Sequence, residues 1–190
     1  YNHAEEQLYV LADGTLYQVD LKKNKQTTLA ENLKEGQYAV SDDGHLMAYE
    51  SEGNKKGGTE IQVMNLSSLH TYIVEAAEGE QISPLGFVNG DFIYGKMKSE
   101  DAGKKASGES ITPMYELEIR NSKNKKVASY SFVDKGIYIS DILIDDNMVT
   151  LNRVEKSGDI YNVTSQEFIT NNEERKDTAI KTEVYTTALM

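Results

Sequence analysis

The side chains able to bind a metal or move a proton are scattered along this 190-residue chain. Acidic pairs stand at Asp42-Asp43 and Asp145-Asp146, with Asp141 close by in sequence. Calcium takes six to eight oxygens, usually from alternating acidic positions around a glycine. None of these stretches has an Asp-x-Asp-x-Asp-Gly run, and Asp favours turns for purely local reasons. The pairs therefore read as turn formers rather than ligands. His3, His45 and His70 are isolated, at no metal-ligand spacing, and read as structural or solvated; His45 directly follows a turn. There is no cysteine, so disulfides, thiolate metal sites and cysteine nucleophiles are excluded. A catalytic histidine needs a nucleophile and an orienting acid, and no Gly-x-Ser-x-Gly elbow, phosphate loop or His-Glu-x-x-His motif occurs. The sequence names no catalytic, cofactor-binding or metal-binding residue.

Two polar loops and the tyrosines are the other candidates for binding. Lys96–Met114 is a polar loop nearly balanced in charge, and Ser51–Thr59 is a shorter loop at an equivalent place. Both read as flexible insertions on one rim of the fold, with a partner-binding surface as the functional alternative. The chain has 12 Tyr and no Trp. Tyr9, Tyr17, Tyr49, Tyr94, Tyr115, Tyr138 and Tyr161 fall at strand positions, where an aromatic packs well on a pleated surface. With 20 basic against 31 acidic residues the net charge is −11, which repels phosphate backbones and argues against nucleic acid. No apolar run approaches the roughly 20 residues of a membrane-spanning helix. The polar start Tyr1-Asn-His-Ala-Glu-Glu6 is unlike a signal peptide. A first residue other than Met points to a trimmed or processed chain.

The elements that must position these residues are strands. Ala39-Val-Ser-Asp-Asp-Gly-His-Leu-Met-Ala48, Leu85-Gly-Phe-Val-Asn-Gly-Asp-Phe-Ile-Tyr94 and Asp141-Ile-Leu-Ile-Asp-Asp-Asn-Met-Val-Thr150 each read as an apolar run, a two-residue turn and a second apolar run. A shorter alternating segment follows each one: Glu60–Asn65, Glu116–Asn121 and Asp159–Thr164. Asp43 and Asn89 are 46 residues apart, and Asn89 and Asp145 are 56 apart. The difference is confined to the loop Lys96–Met114. Gln7–Leu11, the Asp13-Gly14 turn and Thr15–Leu21 join the pattern part-way, so the first repeat lacks its first strand. Last strands are expected at Gln26–Ala30, Thr71–Glu75, Val127–Phe132 and Lys181–Thr187. Self-similarity at this period predicts an all-β, β-propeller-like array of about four four-stranded antiparallel blades. One domain, 1–190, is expected, with blades near 5–34, 36–79, 81–134 and 136–190.

Ser41-Asp-Asp-Gly-His-Leu-Met-Ala-Tyr-Glu-Ser51 and Gly58-Thr-Glu-Ile-Gln-Val-Met-Asn-Leu66 resemble the repeat of TolB-like β-propellers. That blade runs Ser-Pro-Asp-Gly, an apolar strand, a short loop, then Glu-Ile-Tyr-Val-Met-Asp-Leu. Asp42 stands where the family has Pro, and the third and fourth repeats match only in part. The resemblance implies six to eight blades in a complete ring, so four sets of strands are expected to be a partial propeller. The repeat and the lack of any catalytic constellation point to a non-enzymatic binding or scaffolding module with a protein or small-ligand partner; the compartment is left open, an extracytoplasmic one being favoured over the cytoplasm. A homodimer or a longer chain would complete the ring. The alternative is an accessory propeller of a prolyl oligopeptidase-like hydrolase, and a ligand-binding sensor is a third reading.

Overall fold

The computed structural model describes residues 6–51 and 58–170. Its regular structure is almost all strand, with two single 3-10 turns at Ser99–Asp101 and Val133–Lys135. The first sheet contains β1 (Gln7–Ala12), β2 (Thr15–Asp20) and β3 (Lys25–Ala30). The second contains β4 (Tyr38–Val40), β5 (Leu46–Glu50), β6 (Glu60–Asn65) and β7 (Thr71–Glu75), paired in that order. The rest is one sheet. It holds β8 (Glu80–Val88), β9 (Asp91–Lys98), β10 (Gly103–Lys105), β11 (Ser110–Ile111), β12 (Met114–Arg120) and β13 (Lys126–Tyr130) from the third repeat. From the fourth it takes β14 (Ile137–Asp145), β15 (Met148–Ser157), β16 (Ile160–Val163) and β17 (Glu167–Thr170).

The turns follow the side chains that form them. Asp13-Gly14 and Asn89-Gly90 take positive φ at both central residues, which a two-residue type I′ hairpin requires. The β4–β5 turn is longer than expected: Ser41 and Leu46 close a four-residue loop, Asp42–His45, because the Ser41 hydroxyl and Asp43 carboxylate cap its backbone N–H groups. The β14–β15 turn is centred on Asp146-Asn147 rather than Asp145-Asp146, since Asp145 pairs with Met148.

Successive repeats bury their faces against one another. Leu16, Ala30, Met47, Tyr49 and Met64 form a core between the first and second sheets. Ile61, Val63 and Val74 of the second meet Ile82, Phe92 and Tyr94 of the third repeat. Ile93, Leu117 and Ile119 then meet Ile139, Val149 and Leu151 of the fourth. Complete burial of each such side chain is worth about 1.5–3 kcal/mol.

Three expectations need correction. The third and fourth repeats are not separate four-stranded blades. They merge into a ten-stranded sheet, curled like half a barrel, joined where Met114 pairs with Ile139. Register shifts between Met114 and Glu116 and between Ile139 and Asp141 bend the two strands toward each other. In the fourth repeat, Asp159–Thr164 is not the counterpart of Glu60–Asn65. β16 pairs only the far half of β15, and β17 continues along the near half, Val149 opposite Ile169. Finally, Lys96–Met114 is not an irregular loop: it carries the β10–β11 hairpin, which adds to β16 in parallel. The expected strand Lys181–Thr187 and most of the loop Ser51–Thr59 lie outside the described residues.

Candidate functional site

In a meander of four strands, the first-to-second and third-to-fourth turns share one rim. On that rim the second and third repeats use the same device. Asn65, ending β6, accepts backbone N–H groups of Ser67 (3.0 Å) and Ser68 (2.8 Å) on its side-chain oxygen. Asn121, one residue past β12, accepts those of Lys123 and Lys125, both at 3.1 Å. Leu69 and Asn124 hold equivalent positive φ values of 60° and 58°. Asn tolerates that conformation more readily than Leu, so Leu69 is held there by the turn around it. Asn124 also donates its side-chain amide to the carbonyl of Ile73 (3.1 Å), tying this turn to β7 of the neighbouring sheet.

Between these turns opens a cleft of about 360 Å³. Its floor is apolar, made by Leu46, Val63, Tyr72 and Phe87, while His70 and Lys123 stand on its polar side. The His70 and Tyr72 rings lie 6.4 Å apart at 44°. Burial pushes the Tyr72 hydroxyl up to about 12, with the negative charge of Asp91 adding to the shift and Arg120 opposing it. Below the floor, Phe87, Phe92 and Tyr94 continue as an aromatic ladder with centroids 5.5 and 5.7 Å apart.

The ladder ends in a buried charge cluster. Glu118, 2% exposed, accepts the Tyr94 hydroxyl, the Lys96 ammonium and the Arg120 guanidinium, each at 2.7 Å. Burial alone would raise the Glu118 carboxyl, but the Lys96 and Tyr94 hydrogen bonds and the charges of Lys96 and Arg120 outweigh it and hold it below the ordinary value. Arg120 also donates to the backbone and side-chain oxygens of Asn124, both at 3.1 Å, so the cluster anchors the turn that walls the cleft.

The candidates from sequence go to different places. Asp43 accepts the Ser41 hydroxyl (2.6 Å) and the backbone N–H of His45 (2.9 Å), a turn-capping role. Asp141 holds the Ser140 hydroxyl and the side chain of Asn152. Among the described residues, no three His, Asp or Glu side chains converge as a metal site. His3 lies outside the described residues. His45 reaches Ser67 Oγ at 2.9 Å, a nucleophile–base pair in outline, and both side chains are exposed. Tyr49, Tyr94 and Tyr161 are buried in packing positions. His70 lines the cleft, a role that its isolation in sequence hides.

Sequence reasoning also missed Asp101. Its carboxylate accepts the Tyr138 hydroxyl (3.0 Å) and Lys156 (3.2 Å), and its carbonyl accepts the Tyr161 hydroxyl (2.7 Å). This fastens the insertion to the fourth repeat. On the rim opposite the cleft, a hollow of about 480 Å³ carries Glu75, Glu78 and Glu80 beside Ala76 and Ala77.

No protein-family model matches the chain, and no curated protein is similar to it in sequence. The strand arrangement does overlap solved structures. A protein assigned as a conserved lipoprotein of Clostridium novyi NT superposes with TM-score 0.50 at 12% identity, over 84% of this chain and 97% of that one. U3-55K gives 0.42 at 10% identity, over 89% of this chain and 50% of that one. TolB from Acinetobacter baumannii gives 0.29 at 12%, over 81% and 51%. The first likeness speaks for the fold alone, and the other two are too loose to carry an argument.

Proposed function

We propose that the chain is a non-catalytic binding or scaffolding module, built as an arc of TolB-like propeller blades and working outside the cytoplasm. The observation that carries this reading is the succession of three apolar cores, one between each repeat and the next. A lone antiparallel sheet cannot cover both faces, and radial stacking of blades meets that need. The stacking leaves a preformed, largely apolar cleft where turns of neighbouring repeats meet.

Ser67 and His45 are the groups that most resemble catalytic machinery. The Asp43 carboxylate binds the backbone N–H of His45, not its ring, so this contact does not orient the imidazole as a base. Hydrolysis of p-nitrophenyl acetate is expected to run at the rate of buffer for the chain and for Ser67→Ala alike. Clear turnover by the unmodified chain, abolished in Ser67→Ala, would replace the binding module with a hydrolase.

A further inference from the structure

The cleft between the second and third repeats has a floor and a charged margin of different character, and together they specify an occupant. The floor presents Leu46, Val63, Tyr72 and Phe87. Pockets that hold a compact ligand or an anchoring side chain are of this kind: apolar, preformed and some hundreds of Å³ in volume. The margin carries one lysine, Lys123, with Lys125 two residues on in the same turn, in a chain whose net charge is −11. From Asn121 to Val133 the sequence carries Lys123, Lys125 and Lys126 and no acid. Lys126 lies 3.8 Å from Glu118, whereas Lys123 and Lys125 are exposed with no ion pair among the described residues. Asp91, whose charge reaches Tyr72, already has a partner.

We infer that this cleft takes a leucine- or phenylalanine-sized side chain from an acidic peptide segment of a partner protein. The apolar side chain fills the floor beside Tyr72, and carboxylates flanking it meet Lys123 and Lys125. The inference rests on the binding-module reading and names the partner for it. The overall negative field slows approach of an acidic segment, but at physiological salt charges are screened beyond about 8 Å. At contact the local lysines therefore decide. The acidic hollow on the opposite rim, with Glu75, Glu78 and Glu80, repels the same segment and leaves one rim for docking.

The test titrates the ¹⁵N-labelled chain with three peptides: acetyl-Glu-Asp-Phe-Asp-Glu-amide, the same with Ala for Phe, and acetyl-Lys-Lys-Phe-Lys-Lys-amide. The first is expected to move the amide signals of Ser68, His70, Gly90 and Lys123 saturably. Loss of the Phe ring, or the double change Lys123→Glu with Lys125→Glu, is expected to weaken binding about tenfold or more, as removal of an anchor or of paired charges does. Both lysines are exposed, so an unchanged thermal midpoint certifies that this variant is folded. Equal or tighter binding of the lysine peptide, shifts confined to other residues, or no shift at millimolar peptide would overturn the acidic partner. Those outcomes leave the absence of ester turnover untouched, so this inference can fail while the binding-module reading stands.

Discussion

At the scale of single residues, Glu118 is the side chain whose surroundings say most. A carboxylate held below its ordinary value in the folded state adds stability above its unfolded value, about pH 4.3, and loses it as pH falls through the folded value. Stability is therefore expected to decline below about pH 4.5, as urea unfolding across pH would show. In Glu118→Gln that part of the decline should vanish. At neutral pH this variant should be about 1.5–3 kcal/mol less stable, because Lys96 and Arg120 lose their charged hydrogen-bond partner. Gly95 makes a second case: a Cβ there would collide with Met114 Sδ, and Met114 is itself buried. Gly95→Ala is expected to lower stability by about 1–3 kcal/mol in the same assay. The sequence places Glu118 within the alternating segment Glu116–Asn121. It could not pair Glu118 with Lys96, 22 residues away, because strand register is set by the fold.

Between the residue and the whole lie the elements, and here the insertion after β9 departs most from its sequence. Its polar composition reads as a loose loop, yet Asp101 locks it to Tyr138, Lys156 and Tyr161, with the two tyrosine rings packed edge-on at 5.5 Å. Gly103 is where it fits closest, since a Cβ would lie 2.8 Å from both the Asp159 carbonyl and the Tyr161 ring. Gly103→Val is thus expected to undock β10. Amide exchange should quicken at Lys104, Lys105 and Tyr161 while β4–β7 stay protected. Hairpins were the most legible elements, because the Asp-Gly and Asn-Gly turns act locally. The third strand of the last repeat was less so. Glu167-Phe-Ile-Thr-Asn-Asn172 shares the Glu-to-Asn frame of Glu60–Asn65 and Glu116–Asn121, but the alternating segment just after Gly158 is a stronger local strand signal.

For the molecule as a whole, the three stacked cores leave two faces uncovered among the described residues. On the first sheet, Val10 lies opposite Tyr17, and Leu8 opposite Val19, on the side away from the core residues Tyr9 and Leu11. On the last, Leu143, Thr150 and Phe168 form a row across three strands, with Leu143 60% and Phe168 57% exposed. Apolar faces of this kind drive association. Light scattering is expected to give a mass above that of one chain, rising with concentration, and Phe168→Lys should reduce it. The repeat was legible in sequence because its period is carried by turns. The fusion of the last two repeats was not, because it depends on bends in β12 and β14. The parallel pairing of β10 with β16 has a consequence in time. Each sheet of the first half can form as its strands leave the ribosome, but Asp101 must wait for Tyr161, 60 residues later. At roughly 5–20 residues per second that is a gap of about 3–12 s. During it the hairpin has no acceptor strand, and a nascent chain stalled before Gly158 would hold it exposed to chaperones and proteases.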